Sequence, residues 1–200
     1  MCRLTPIAGN KVNQPLQGIL ERYHLDLAGA PNFLRILARS PAAMGAYTAA
    51  EQALADGQLT PGQREQIALA VAEINNCNYC LVAHTLTSRD AGLSDEDIRL
   101  ARTATAHDPK TAAMLRFTQA VVLQRGDVRD VELETVRGAG VSDFEVIEII
   151  ANIALNIFTN YLNIVSNTEV DFPMLHPEFK NPRAAENTCG LSYENNSHRP

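Results

Sequence analysis

Apolar residues recur at three- and four-residue spacing along almost the whole of this 200-residue chain, while alternating runs of β-branched residues are scarce. That period matches the 3.6-residue turn of a helix rather than the two-residue pleat of a strand, so the expected fold class is all-α, a compact helical bundle. Breakers and caps divide the pattern into helices at about Leu16–Leu25, Asn32–Ala38, Pro41–Asp56, Pro61–Ile74, Cys77–Ala91, Asp95–Ala104, Pro109–Arg125, Asp130–Arg137 and Asp143–Thr168. Thr60 before Pro61 illustrates the logic: a side chain that can cap is followed by a residue whose missing N–H would have gone unpaired in the first turn anyway.

The run Ala91-Gly92-Leu93-Ser94-Asp95-Glu96-Asp97-Ile98 is echoed by Ala139-Gly140-Val141-Ser142-Asp143-Phe144-Glu145-Val146. In each copy the glycine can end one helix in a left-handed conformation, and the serine with an acidic residue three positions on can open the next as a capping box. The pair suggests a repeated helix–turn–helix unit, although such caps recur in many helical proteins. Periodicity fades after residue 175, so one domain is expected over residues 1–175, followed by a polar tail over 176–200 that wraps a neighbour or stays mobile.

A formal charge of −6 and the lack of a dense Lys/Arg run argue against a nucleic-acid partner. The first dozen residues lack the continuous apolar stretch of a secretory signal. Val146 to Val165 is the longest apolar region, but Glu148 and several asparagines interrupt it, so it reads as a core helix rather than a membrane span. A cytoplasmic location follows as the expectation.

Of four cysteines, Cys2 and Cys189 fall near the ends, leaving Cys77-Asn78-Tyr79-Cys80 as a pair where thiols are kept reduced. Asn75-Asn76 immediately upstream favour a helix break, which would put Cys77 on the first turn of a new helix, where unpaired N–H groups and the helix dipole lower a thiol pKa. Cys80 and His84, four residues apart, then share a face, and a histidine there can take the thiol proton. Cys80 is thus the expected attacking thiol and Cys77 the resolving one. The alternatives are two small buried hydrophobes, or a zinc site for which Cys77, Cys80 and His84 supply only three ligands.

A carboxylate would orient such a histidine, and both Glu65 and Glu73 are candidates. In an unbroken helix Glu73 is the better placed. If the chain reverses at Asn75-Asn76, Glu65 lies about 15 Å back along one helix and His84 about 12 Å along the next, so those two can be level.

Leu59-Thr60-Pro61, Arg64-Glu65, Asn76-Cys77-Asn78-Tyr79-Cys80, Ala83-His84-Thr85 and Ala91-Gly92-Leu93-Ser94 together resemble the core of the carboxymuconolactone decarboxylase-like superfamily. The closer resemblance is to its alkylhydroperoxidase D-like, peroxidase-related branch. It extends to Pro31-Asn32-Phe33-Leu34, Asn160-Tyr161-Leu162-Asn163 and Asp171-Phe172-Pro173. The resemblance implies an all-helical fold, assembly as a homo-oligomer, usually a trimer or hexamer, and reduction of hydroperoxides at the thiol pair. By position it implies Glu65, Cys77, Cys80 and His84 as relay and redox pair. No tightly bound cofactor or metal is implied; an external dithiol, a lipoyl carrier or another, would be the electron donor. Where the best-known relative has a second histidine between the cysteines, this chain has Tyr79. The rival reading within the superfamily is non-redox decarboxylation of a small carboxylated lactone.

Asn152, Asn156, Asn160, Asn163 and Asn167 fall within an arc of about 80° on the last long helix. Buried amides need partners, so this stripe either packs, most simply within the protein or at a subunit interface, or lines a pocket. Asn160 and Tyr79 are the candidate substrate contacts; an aromatic ring with a polar tip suits packing equally.

Overall fold

The computed structural model describes residues 3–7, 14–22, 26 and 29–171. Among them the chain is all-helical with no strand: α1 (Gln14–Arg22), α2 (Asn32–Leu37), α3 (Pro41–Ala55), α4 (Pro61–Ile74), α5 (Asn78–Asp90), α6 (Asp95–Arg102), α7 (Pro109–Leu123), α8 (Asp130–Gly138) and α9 (Asp143–Ser166). The expected starts of α2, α3, α4, α6, α7, α8 and α9 are the observed ones. Ser40, Thr60 and Asp108 each accept a hydrogen bond from the N–H three residues on, and a proline follows each. α1 begins two residues before the expected Leu16; the expected end at Leu25, the tail from residue 176, Cys2 and Cys189 lie outside the described residues.

The two echoed turns are built alike. Gly92 and Gly140 sit at φ +86° and +87°, and the residue after each returns its N–H to the preceding helix, Leu93 to Ser88 at 2.9 Å and Val141 to Val136 at 3.3 Å. Ser94 with Asp97, and Ser142 with Glu145, close reciprocal capping boxes. Each turn is also spanned by an exposed ion pair, Arg89–Asp95 at 2.8 Å and Arg137–Asp143 at 2.6 Å. The repeat therefore extends past the caps to matching side chains.

α4 runs through the centre, packed against α5, α6, α7 and α9. Ala68, Ala70 and Ala72 keep it slim enough for that, while Ile67, Leu69 and Val71 enter a core shared with Met114, Leu115, Ile149 and Ile153. A second cluster joins α1, α2 and α3 around Leu16, Leu37 and Met44.

α9 is long and apolar enough by composition to cross a bilayer. One face of it packs into the protein, with Val146, Ile149 and Ile153 in the central core and Asn152, Asn156, Asn160 and Asn163 buried, while the opposite face carries exposed apolar side chains, so the core-helix expectation holds for one side only. Glu148, the acidic interruption noted in the sequence, accepts hydrogen bonds from the N–H groups of Gln58 and Leu59 at 2.9–3.1 Å. That approach requires the glycine beside it, because a Cβ on Gly57 would stand 2.6 Å from the carboxylate. α9 thereby ties down the α3–α4 loop that leads into α4.

Candidate active site

The Cys-x-x-Cys motif sits at a chain reversal that both asparagines make possible. Asn75 caps α4 and Asn76 adopts a left-handed φ of +55°, a conformation asparagine tolerates better than most residues. Asn76 N–H returns to Glu73 O at 3.0 Å and Cys77 N–H to Ala72 O at 2.9 Å, satisfying the last carbonyls of α4. Cys77 is at once the residue that completes this closure and the N-cap of α5. It lies one position before the first helical turn where the spacing had put it. Its sulfur accepts the Cys80 N–H at 3.3 Å.

Cys77 and Cys80 are joined as a disulfide, but the two sulfurs have different surroundings. Cys77 is 1% exposed and packs with Ala72 and Tyr79, whereas Cys80, though only 3% exposed, faces a cavity of about 290 Å³. His84, one turn along α5, and Glu65, on α4, line the same cavity.

The reversal sets α4 and α5 against each other and decides between the two carboxylates. His84 Nδ1–H donates to Glu65 Oε2 at 2.9 Å, and the Thr87 hydroxyl donates to the same oxygen at 2.6 Å. Glu73 instead pairs with Arg102 at 2.6 Å. Burial by itself would raise the Glu65 carboxyl, but the His84 charge and hydrogen bond, the Thr87 hydroxyl and the Arg64 charge outweigh it and hold the carboxyl below its ordinary range. A carboxylate on Nδ1 fixes the tautomer, leaving Nε2 as the basic nitrogen.

The Tyr79 ring lines the cavity while its hydroxyl is committed elsewhere, donating to Asp171 at 3.0 Å and accepting the Phe33 N–H at 3.3 Å. Burial, and then the Asp171 charge, push the phenol well above its ordinary value, so it stays protonated. Asp171 also accepts the Asn32 N–H at 2.6 Å. Tyr79 thus pins the start of α2 and residue 171 to the Cys-x-x-Cys motif.

The asparagine stripe divides between the two readings, packing and pocket lining. Asn152, Asn156 and Asn163 line the cavity, and Asn163 Nδ2 donates to Cys80 Sγ at 3.4 Å. Asn160, a candidate substrate contact by sequence, is fully buried off the cavity wall and accepts a hydrogen bond from Asn75 Nδ2 at 3.0 Å. One residue step of 100° separates neighbours on a helix, so an arc of 80° is wide enough for one edge to meet the α4–α5 turn and the other the cavity. Asn167 ends α9 in a left-handed conformation. Thr87 and Arg64 also belong to the site; sequence reasoning passed over Thr87 although it lies three residues after His84 on the same helix face.

Residues 41–122 match the Carboxymuconolactone decarboxylase family, and that segment contains Glu65, Cys77, Cys80 and His84. Solved structures share the fold well beyond this segment. An uncharacterized peroxidase-related protein from Ralstonia eutropha JMP134, described as an alkylhydroperoxidase AhpD core, has a TM-score of 0.75 at 24% identity, covering 89% of this chain and 94% of its own. An uncharacterized peroxidase-related protein from Silicibacter sp. TM1040 has a TM-score of 0.72 at 23% identity, covering 89% and 93%. A cysteine-to-alanine variant of the debrominase Bmp8, in complex with 2,3,4-tribromopyrrole, has a TM-score of 0.70 at 16% identity, covering 86% and 92%. The fold is that of the AhpD-like branch. Among functionally curated proteins there is no significant match.

Proposed function

We propose that this chain is a thiol-dependent peroxidase-type oxidoreductase that reduces hydroperoxides through Cys77 and Cys80. The carrying observation is that Cys80, rather than Cys77, faces the cavity alongside a His84 held by Glu65. In the reduced enzyme His84 Nε2 takes the Cys80 proton, and the thiolate attacks the hydroxyl oxygen of the peroxide. A sulfur–oxygen bond forms as the O–O bond breaks; the sulfur is oxidised by two electrons, and the alkoxide or hydroxide leaving group takes the proton from His84. Cys77 then attacks the Cys80 sulfenic acid, a disulfide forms, and the hydroxyl leaves as water with the Cys77 proton. The N-cap position and the Cys80 N–H both favour the Cys77 thiolate that this step needs. A dithiol donor, a lipoyl carrier or another of that class, returns the pair to thiols.

Treating the reduced protein with hydrogen peroxide or cumene hydroperoxide tests the reading. Two thiols should be lost per peroxide consumed. Cys77→Ser should accumulate a sulfenic acid trapped by dimedone at residue 80, and Cys80→Ser should trap none at residue 77. Failure of every hydroperoxide to form the Cys77–Cys80 disulfide would overturn it. Full turnover of a carboxylated lactone by the Cys77→Ala/Cys80→Ala double variant would favour decarboxylation instead.

Assembly into a homo-oligomer is part of the same proposal. Phe144, Ile147, Phe158, Tyr161 and Val165 form an apolar outer face on α9, with Ile147 68% exposed. A run of apolar side chains of that kind suits a second copy of the chain better than water.

A further inference from the structure

Asn163 is 5% exposed and lines the cavity, and its two amide atoms have different fates. Nδ2 donates to Cys80 Sγ at 3.4 Å. Oδ1 is buried, and among the described residues no donor reaches it. Against a disulfide sulfur or a thiolate, neither of which has a hydrogen to give, the amide nitrogen rather than the oxygen is the atom that suits this contact. An orphaned buried acceptor beside a reactive atom calls for a ligand that donates there.

Its neighbours on α9 continue the same character. Asn152 Nδ2 donates to Glu148 O at 2.8 Å and Asn156 Nδ2 to Asn152 O at 2.9 Å, which turns their amide nitrogens along the helix and leaves their oxygens as acceptors. The α9 wall is therefore suited to a molecule that brings a hydrogen to it.

We propose that Asn163 is a positioning residue for peroxide reduction, donating through Nδ2 to the Cys80 thiolate and accepting through Oδ1 the O–H of the hydroperoxide. This rests on the peroxidase reading above and adds to it the residue that aligns the attack. The chemistry suits the geometry, because the hydroxyl oxygen keeps its hydrogen throughout: it is O–H in the peroxide and still O–H in the sulfenic acid. Asn163 can hold that hydrogen before and after the S–O bond forms, while the same amide steadies the sulfur. His84, which receives the thiol proton and returns it to the leaving group, is left to the other end of the O–O bond.

The experiment uses the full chain with Cys2, Cys77 and Cys189 replaced by serine, so that Cys80 alone titrates. Thiolate absorbance against pH, without peroxide, reads the Nδ2 contact. Asn163→Ala should lower the thiolate fraction at neutral pH by about tenfold, the scale of a lost hydrogen bond to a charged group. Rates with cumene hydroperoxide and with methyl methanethiosulfonate, which has no O–H or N–H, read the Oδ1 contact. Asn163→Ala should lose about tenfold more with the hydroperoxide than with the thiosulfonate. Asn163→Asp, which keeps the shape and an acceptor but loses the donor, should slow both reagents while keeping their ratio near that of Asn163. Thiolate titrations and rate ratios unchanged in both variants would overturn the assignment. A parent protein inert to every hydroperoxide would instead defeat the peroxidase reading and with it the Oδ1 role, and the titration would still show whether Asn163 governs the sulfur.

Discussion

Replacing Glu65 by Gln isolates the charge in the relay, since the amide retains the shape and can still accept the Thr87 hydroxyl at the position now 2.6 Å away. The pair it alters is His84 Nδ1 to Glu65 Oε2 at 2.9 Å, between side chains only 25% and 22% exposed, so solvent screens it little. A hydrogen bond to a charged group contributes about 1.5–3 kcal/mol, which corresponds to roughly a 10- to 150-fold loss in the ability of His84 to hold the Cys80 proton. Single-turnover loss of thiols on adding cumene hydroperoxide to reduced protein should slow by that factor near neutral pH. His84→Gln should slow it at least as much, and the double variant Glu65→Gln/His84→Gln little further, because residues that act as one unit are not additive. Full additivity in that cycle would refute the relay. The same carboxylate makes a prediction about folding. Its folded-state pKa lies below the ordinary 4.5, so the stability it contributes is fully present above about pH 4.5 and is lost as pH falls through the folded value. Melting curves of the parent and Glu65→Gln should differ at neutral pH and converge in acid; a difference that widened in acid would contradict this sign.

Tyr79→Phe keeps the ring on the cavity wall but leaves the Phe33 N–H and Asp171 without the hydroxyl between them. Urea unfolding should show a loss of about 1–3 kcal/mol, with the peroxide rate within a few-fold of the parent. A large rate loss at unchanged stability would move Tyr79 into the chemistry. On the outer face of α9, Ile147→Glu should shift the assembly toward monomer in light scattering at micromolar protein, since a charge would have to be buried at the contact; an unchanged mass would clear that face of a role in assembly.

Much of this was legible in the sequence because it is local. Ser40, Thr60, Ser94, Asp108 and Ser142 define helix starts through bonds spanning three residues, and Gly92 and Gly140 define the turns before α6 and α9. Spacing alone leaves both Glu65 and Glu73 open; the left-handed residue at Asn76 reverses the chain, and that reversal levels Glu65 with His84. The parts that were not legible depend on how distant segments rotate against one another. Asn160 and Asn163 occupy one stripe, and only the seating of α9 against α4 and α5 decides that Asn160 meets Asn75 while Asn163 meets the sulfur. The Tyr79 hydroxyl finds its partners 46 and 92 residues away, and nothing in Cys-x-x-Cys spacing predicts them.

The unequal surroundings of the two sulfurs also bear on how the disulfide is reopened. A donor thiolate must approach in line with the S–S bond, and whichever sulfur it does not attack leaves as a thiolate. Cys77 is shut in by Ala72 and Tyr79, while Cys80 faces the cavity, so attack falls on Cys80 and Cys77 is the leaving group. That direction is favoured electrostatically as well. The departing Cys77 sulfur is at the N-cap of α5 and accepts the Cys80 N–H at 3.3 Å, both of which stabilise negative charge on it. In the proposed cycle the reaction and its reversal therefore use the sulfurs in the same roles, Cys80 meeting the external partner in both. Oxidising Cys77→Ser in the presence of a monothiol donor, which has no second thiol to release it, should trap a mixed disulfide at residue 80, and Cys80→Ser should trap none at residue 77. Equal trapping at both positions would show that the donor reaches the buried sulfur and that the enclosure of Cys77 opens during turnover.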